Sequence, residues 1–341
     1  MIEKTMFESK SELIKWVNEN YDLDINSVEE TDLGSANCFC LRGKTGLYFM
    51  KEFQSKINRE QLQTEVEVCV FLNQKGIHTS KFIKNLQGQY ISEYKEKYIN
   101  IQEFIDGKMY GMYELPEELL YLSGRYLGKI NKYMSELDNY ELSFHDEWLS
   151  SWSNEKEIEK LKKLLDERNH DCDATLIQKI TKDFENKIEI LSKMEGYAQK
   201  FLGSYKCNSH GDYSLLQLLC DGNEISAVVD FASVCCLPPT WEIIRSYTYA
   251  ASECKKGNCI NYAKFKQYLD EYLKENEIPR KDIILMPSLY FFNLIRSTFG
   301  YKQFLKDNSK ANLEFAFWRT NICKWLYEHL QEFESFLKEN Y

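Results

Sequence analysis

Two carboxylates lie on either side of one short predicted turn in the second half of the chain. Asp212 belongs to the segment HGDYSLLQ (His210–Gln217), and Asp230 follows two valines and precedes a phenylalanine. Phosphoryl transfer from a nucleotide requires one carboxylate near the acceptor hydroxyl, a second on the metal ion, and a side-chain carbonyl as a further metal ligand. Asp212, Asp230 and Gln217 are of the residue types that these three tasks need.

The sequence between Gln217 and Asp230 predicts a β-hairpin. Asp221–Glu224 reads DGNE, a turn signal, and short apolar runs typical of strands flank it. Because a hairpin brings its open ends together, we expect Gln217 and Asp230 at the same end, with Asp212 in the loop that leads into it. The alternative is a surface hairpin with incidental acidic residues. However, a carboxylate at position 230, beside an apolar run, is costly unless it meets a cation or donors.

This segment resembles the H-G-D-x-x-x-x-N and I-D-F signatures of the aminoglycoside phosphotransferase-like and choline kinase-like small-molecule kinases, a family similar in fold to protein kinases. Gln217 stands where the family usually has Asn, and Ala232 stands where protein kinases have the Gly of D-F-G. The resemblance implies that Asp230 and Gln217 hold Mg²⁺ and that Asp212 accepts or orients the hydroxyl proton. His210 is either a base or a brace for the loop, and the resemblance favours the brace.

A run of small residues near the N-terminus is a second candidate for nucleotide binding. In Leu33–Asn37, Gly34 and Ser35 remove the side-chain bulk that would keep phosphates from the backbone. Most such runs are ordinary turns. This one resembles the G-x-x-N loop that opens the kinase family, with Asn37 in the matching position, which implies that all three residues bind the nucleotide.

Lys51 is the candidate for binding the phosphates. It lies in a predicted strand that is otherwise mostly apolar and aromatic, and a predicted helix over Arg59–Asn73 follows. Kinases pair a strand lysine with a helix glutamate, which holds the ammonium group against the α- and β-phosphates. The helix resembles the family's version, with Glu65 as the partner, since Glu67 points about 200° away around the helix. The alternative is two solvated charges.

Residues 82–107 predict strands that end at Asp106–Gly107. They resemble the strand and hinge that join the two lobes of a kinase, which implies that backbone groups of Gln102, Glu103 and Phe104 meet the adenine edge. A plain strand followed by a turn fits the same residues.

The remainder of the chain predicts helices, over 116–134, 154–166, 174–194, 283–305 and 312–337, with Thr240 as the N-cap of another. Together with the resemblance, this predicts an α+β, two-lobed protein-kinase-like fold. The N-lobe, residues 1–101, is expected to be a five-stranded antiparallel sheet with one helix. The C-lobe, residues 102–341, is expected to be mostly helical, with a helical insertion at about 146–200.

The composition of the chain limits which binding partners and which cellular location are expected. The 341 residues carry a formal net charge of −10, which argues against a nucleic-acid surface and is compatible with a cationic substrate. No uninterrupted apolar run reaches the roughly 18 residues of a membrane span, so we expect no membrane partner. Eleven cysteines without paired C-x-x-C spacing, in a chain whose first residues lack an apolar signal core, are expected to be reduced, cytoplasmic thiols.

The resulting prediction is an ATP- (or GTP-) and Mg²⁺-dependent phosphotransferase acting on a hydroxyl of a small, amine-bearing molecule such as an aminoglycoside or amino alcohol. A second hypothesis is a kinase-like binding or structural protein without turnover, as in spore-coat-associated relatives, because Gln217, Ala232 and Glu242 depart from the family pattern. A protein kinase is less favoured, since the chain lacks H-R-D and has no A-P-E after Asp230.

A cationic acceptor should bind more weakly as salt rises, because its attraction to the acidic chain is screened. Glu314, Glu328, Asp146 and Glu147 are the candidate acidic contacts, with plain surface charges as the alternative. The check is a screen of aminoglycosides, choline-like amines, amino alcohols and sugars by ADP release, followed by KM at low and high salt. A best acceptor that is neutral or anionic and insensitive to salt would contradict this electrostatic argument.

Overall fold

The computed structural model describes residues 3–31, 36–138, 153–166 and 173–341. The chain divides into two compact units. The first comprises Met1–Met109, His210–Asp212 and Leu216–Val234, and the second comprises the remainder. The chain therefore leaves the first unit after Met109 and returns to it for the segments that carry Asp212 and Asp230. The lobe boundary between residues 101 and 102 stays a prediction.

The first unit contains the predicted five-stranded antiparallel sheet, in the order β1-β2-β3-β5-β4. Its strands are β1 (Ile25–Thr31), β2 (Asn37–Gly43), β3 (Leu47–Glu52), β4 (Ile91–Tyr94) and β5 (Lys97–Glu103).

Helices cover both faces of this sheet, so the expectation of a single helix in this part of the chain was wrong. Helix α1 (Lys10–Asn20) begins after Ser9, whose side chain accepts a hydrogen bond from the Glu12 amide, and it packs on the face that carries Met50. Helix α2 (Arg59–Gln74) lies over the other face. Because side chains alternate along a strand, the consecutive residues Lys51 and Glu52 of β3 lie on opposite faces, Lys51 on that of α2 and Glu52 on that of α1.

The predicted catalytic hairpin is present as β7 (Leu218–Asp221) and β8 (Glu224–Val228), and Gly222 takes up the positive φ of the turn, 55°. The segment after β5 is fastened to it. The Lys108 amide donates to Cys220 O at 2.7 Å, and the Cys220 amide donates to Lys108 O at 3.0 Å. Gly107 permits this approach, because a Cβ at that position would lie 2.9 Å from the Cβ of Leu219.

The second unit is mostly helical. In the order of the chain, its two short antiparallel strands and its helices are α3 (Glu117–Met134), α4 (Asn154–Asp166), α5 (Ala174–Leu191), β6 (Cys207–Ser209), β9 (Cys235–Leu237), α6 (Pro239–Ala250), α7 (Ser252–Lys256), α8 (Tyr262–Leu273), α9 (Arg280–Arg296), α10 (Tyr301–Asp307) and α11 (Lys310–Asn340). Single 3₁₀ turns at Tyr197–Phe201, Leu215–Gln217 and Phe231–Ser233 complete the described elements.

Two local predictions in this unit were wrong. The helix predicted over 283–305 is broken between α9 and α10, where Gly300 has a φ of 85° and a Cβ would lie 2.3 Å from Asn312 O. Thr240 is not an N-cap, because α6 begins at Pro239 with Pro238 as its cap. Proline fits the first helical position since its missing N–H would have no partner there. Asp146 and Glu147 lie outside the described residues.

The segment Arg280–Asp307 is the one part of the described chain that is long and apolar enough to cross a membrane by length and composition alone. Of its most apolar stretch, 67% is buried inside the structure. Helix α9 packs against α6 and α11, and this packing accounts for its apolar composition.

Replacing Gly107 by alanine should destabilise the fold, because the added Cβ would meet both Leu219 and the Cys220 amide, at 2.9 and 3.3 Å. A cost of about 1–3 kcal/mol in the free energy of unfolding is expected for such overpacking. Chemical denaturation measures it. Gly46→Ala is the matched control, since its Cβ would have 3.9 Å of clearance. Equal stability of the two variants would contradict the close approach at Gly107.

Candidate active site

An ion pair joins Lys51 and Asp230, which are 179 positions apart in the sequence. The Nζ atom of Lys51, on β3, lies 2.7 Å from Oδ1 of Asp230, which follows β8. Asp230 has a φ of 68° and a ψ of 55°, in the left-handed region. Aspartate tolerates this conformation better than most residues, and backbone held in sparsely populated regions is concentrated at active sites.

Glu65 lies beside this pair. It is on the buried face of α2, its side chain is 1% exposed, and its Oε1 is 3.9 Å from Lys51 Nζ, which is beyond hydrogen-bonding distance. Neither carboxylate oxygen of Glu65 has a hydrogen-bond partner in the described part of the chain. Glu67 is exposed and accepts a hydrogen bond from Gln63. The structure thus places the predicted glutamate, and not its neighbour, next to Lys51.

The charges of these three groups are strongly linked. Burial raises the pKa of Glu65 to about 7, although attraction to Lys51 opposes the rise. Burial alone would lower the pKa of Lys51, but the carboxylates of Glu65 and Asp230 outweigh it and raise that pKa. The Lys51 charge in turn lowers the pKa of Asp230. Lys51 and Asp230 are therefore charged at neutral pH, whereas Glu65 is close to its midpoint.

His210 is fully buried and touches both chain neighbours of Asp230. Its Nε2 atom donates to Val229 O at 3.0 Å, and its ring lies 4.4 Å from that of Phe231. With the proton on Nε2, Nδ1 can accept from the Asp212 amide, 3.4 Å away. These contacts are those of a brace that links the Asp212 loop to the Asp230 segment, and they favour that role over a base.

The open end of the hairpin brings the other predicted residues together. The Val229 amide donates to Gln217 O at 2.9 Å, so the backbone of Gln217 lies across from the residue that precedes Asp230. The side chain of Gln217 is buried, and Asp212 is half-buried in the loop before it. The hairpin thus brings the backbone of Gln217 next to the neighbour of Asp230, as expected, and the convergence of the three side-chain oxygens stays a prediction.

Two further residues, which the sequence analysis did not identify, lie close to the Lys51–Asp230 ion pair. Gln61 of α2 donates from Nε2 to Ala232 O at 2.8 Å, which ties the helix of Glu65 to the segment after Asp230. Asn100 of β5 pairs with Lys51 in register and is 0% exposed, and neither polar atom of its side chain has a hydrogen-bond partner among the described residues. The signal for Asn100 in the sequence was an amide side chain between two isoleucines of a predicted strand. A polar group buried in such a strand is expected to have a hydrogen-bond partner or a functional role.

Among the other residues predicted to contact the nucleotide, those that the structure describes make contacts within the protein. The side chain of Asn37 donates to Glu52 Oε1 at 3.1 Å, on the sheet face opposite to Lys51. The amides of Glu103 and Phe104 donate to Lys81 O and Leu47 O, at 2.8 and 3.0 Å. An adenine edge would therefore have to use other groups of this segment. Gln102 is buried in β5 beside Phe49. Gly34 and Ser35 lie outside the described residues. The binding roles of all six residues stay predictions.

Within the second unit, Glu242 fixes the residues on either side of His210–Asp212 in the chain. This fully buried carboxylate accepts hydrogen bonds from Ser209 Oγ and from the Tyr213 amide, the latter at 2.9 Å. Arg245 donates from Nη1 to Tyr213 O at 3.1 Å. These contacts are those of structural residues that hold the backbone next to the Asp212 loop.

The donors fit a magnesium–nucleotide complex. Asp230 provides an anionic oxygen, Gln217 an amide oxygen and Lys51 a cation for phosphate. No group of three or more His, Cys, Asp or Glu side chains suited to a metal occurs in residues 3–31, 36–138, 153–166 and 173–341. That is compatible with Mg²⁺, which is usually held by one or two carboxylates together with substrate phosphates and waters.

Comparison with known proteins gives a consistent result. A family model described as the phosphotransferase enzyme family matches residues 31–265. A spectinomycin phosphotransferase, APH(9)-Ia, in complex with ADP and spectinomycin is 14% identical with a TM-score of 0.68, covering 94% of this chain and 98% of that chain. An aminoglycoside phosphotransferase from Alicyclobacillus acidocaldarius is 12% identical with a TM-score of 0.66, covering 99% and 97%.

A third solved structure has the same fold. An ethanolamine kinase from Plasmodium vivax is 16% identical with a TM-score of 0.59, covering 96% of this chain and 91% of that chain. No curated protein matches the sequence. At these identities the structures establish the fold, and the predicted kinase-like architecture is confirmed.

The raised pKa of Glu65 predicts a pH effect on stability. A carboxyl whose pKa is higher in the folded state stabilises the fold at low pH, and that contribution is lost as pH rises from about 4.5 to about 7. Relative to wild type, Glu65→Gln should therefore gain about 1–3 kcal/mol in the free energy of unfolding across this range. Denaturation at a series of pH values measures it, with the exposed Glu67→Gln as control. Parallel pH profiles for wild type and Glu65→Gln would refute the raised pKa of this buried carboxyl.

Proposed function

Because the chain belongs to the phosphotransferase enzyme family, we propose that this small-molecule kinase transfers the γ-phosphoryl group of ATP or GTP, as a magnesium complex, to a hydroxyl of its substrate. The observation that carries the proposal is the Lys51–Asp230 ion pair, 2.7 Å long, with the buried Glu65 carboxylate 3.9 Å from the same ammonium group. A cation for phosphate and an anion for the metal thus meet at one point.

Each residue around this ion pair has its own role in nucleotide binding. Lys51 holds the phosphates, and Glu65 keeps its ammonium group on the sheet face that carries the site. Asp230 and Gln217 hold Mg²⁺, which when bound neutralises the charge that develops on the phosphate oxygens. The hydrogen bond from Gln61 to Ala232 supports this arrangement, because it keeps the Glu65 helix in place against the metal-binding segment.

Asp212 accepts the proton of the acceptor hydroxyl or orients that hydroxyl for in-line attack. It is half-buried, and His210 is placed to hold its loop against the residues around Asp230. Most of the rate enhancement then comes from positioning and from charge neutralisation.

The acceptor is proposed to be a small, amine-bearing molecule. Structures of the same fold belong to a spectinomycin phosphotransferase and to an ethanolamine kinase, and the net charge of −10 favours a cation. Glu314 and Glu328 lie exposed on α11. A cytoplasmic location is part of the proposal, supported by the ten free cysteines of the described chain.

A protein that binds nucleotide without turnover is the second candidate. Gln217 favours it, because a side chain one methylene longer than the family's Asn displaces the amide oxygen that would reach the metal. The two candidates differ in one result, the formation of phosphorylated product.

The test is turnover of wild type and of Asp212→Asn with MgATP and the acceptor panel, with the product identified by mass spectrometry. Because asparagine cannot accept the proton, Asp212→Asn should lose about 10²-fold or more in kcat while binding nucleotide normally. Asp221→Asn, in the exposed hairpin turn, is the matched control and should retain full activity.

Near-normal turnover by Asp212→Asn would refute its assignment. Nucleotide binding by wild type without product from any acceptor would favour the binding protein.

A further inference from the structure

A second buried charge cluster lies directly behind Lys51. Glu52, the next residue of β3, is 0% exposed, and its carboxylate accepts hydrogen bonds from Thr5 Oγ1, from the Met6 amide at 3.1 Å and from Asn37 Nδ2 at 3.1 Å. The Nζ atom of Lys97 lies 3.2 Å from the same carboxylate. A buried carboxylate is tolerated only with such complete pairing.

The segment Glu3–Met6 supplies much of this pairing. Besides the contacts of Thr5 and Met6 with Glu52, the buried Lys97 donates from Nζ to Lys4 O at 2.8 Å and lies 3.4 Å from the Glu3 carboxylate. The Glu3 carboxylate also accepts from the amide of Ser55, just past the end of β3, at 3.0 Å. The segment is therefore fastened to the end of β3 by charged and hydrogen-bonding groups.

This fastening bears on Lys51 through the strand itself. In the pairing of β2 with β3, Asn37 lies opposite Glu52 and Cys38 lies opposite Lys51. The side chains of the consecutive residues Lys51 and Glu52 therefore lie on opposite faces of the same pair of strands. A shift of the β3 backbone large enough to move Lys51 away from Asp230 would also disturb the four contacts of Glu52. Removing one partner of a buried charge pair is costly, so Glu52 resists such a shift.

We propose that Glu52 is a positioning residue for nucleotide binding, through which the segment Glu3–Met6 holds Lys51 in place for the phosphates. The inference rests on the proposed function, because it assigns Lys51 to phosphate binding. It also gives Asn37 a place on the Glu52 side of the sheet, where its side chain holds the end of β3. Preorganisation of this kind favours binding, since less conformational freedom is lost when the ligand arrives.

Thr5→Val tests the proposal with little change of shape. The variant loses the hydroxyl that donates to Glu52 and that accepts from the Phe7 amide at 3.3 Å. Both contacts are on the face of the sheet opposite to Lys51. The nucleotide Kd, measured by calorimetry with Mg²⁺, and the nucleotide KM should rise about threefold to tenfold, as for the loss of one hydrogen bond to a charged group. The kcat at saturation should stay within about twofold, and Thr5→Ser should restore wild-type values.

The matched control is Tyr94→Phe. It removes another hydrogen bond of the N-terminal region on the same face, from Tyr94 to Glu12, without touching Glu52. Its nucleotide Kd should equal that of wild type. An unchanged Kd in Thr5→Val, or an equal rise in Tyr94→Phe, would overturn the proposal.

Amide hydrogen exchange without nucleotide separates this inference from the proposed function. Exchange in β2 and β3 should be faster in Thr5→Val than in Tyr94→Phe or wild type. Faster exchange in a protein whose wild type binds no nucleotide would refute the proposed function and retain the fastening of β3. Unchanged exchange together with an unchanged Kd would refute the positioning role itself.

Discussion

The candidate site is arranged around the ion pair between Lys51 and Asp230. An ammonium group with 13% exposure would be costly without acidic groups near it, and Asp230 and Glu65 supply them from different segments of the first unit. The left-handed backbone at Asp230 depends on the contacts around it, because a local strain of about 1–3 kcal/mol persists only where the surroundings over-determine it. His210, Gln217 and Gln61 are those surroundings: each bonds to the backbone within two residues of Asp230.

Two other polar groups are buried next to this ion pair. The carboxylate of Glu65 and the amide of Asn100 are buried beside Lys51 without hydrogen bonds in the described chain. Buried polar side chains nearly always have hydrogen-bond partners, so these two groups are unusual, and polar groups of this kind beside a charged pair are typical of functional sites. On the other face of the sheet, Glu52 and Lys97 are paired with each other and with the N-terminal segment. Strand β3 thus borders polar groups without hydrogen bonds among the described residues on one face and paired groups on the other.

Much of this was predictable from the sequence, and the reasons are local. The turn Asp221–Glu224 fixed the hairpin, and helical periodicity separated Glu65 from Glu67. Strand β1 was not located, because its buried residues Ile25 and Val28 are three apart and a bulge interrupts the alternation. The break at Gly300 depends on its contact with Asn312, and the role of Asn37 depends on its partner Glu52 in the neighbouring strand. Such pairings between distant residues leave no periodic signal in one chain.

The most direct test of the account is calorimetric titration of ATP into wild type and Asp230→Asn, each with and without Mg²⁺. Asparagine keeps the shape of Asp230 and tolerates the left-handed backbone, so the variant removes the charge alone. The account predicts that Mg²⁺ tightens ATP binding to wild type by about tenfold or more, the equivalent of about 1.4 kcal/mol, and that this dependence on Mg²⁺ disappears in Asp230→Asn. Equal Mg²⁺ dependence in the two proteins, or none in wild type, would contradict it.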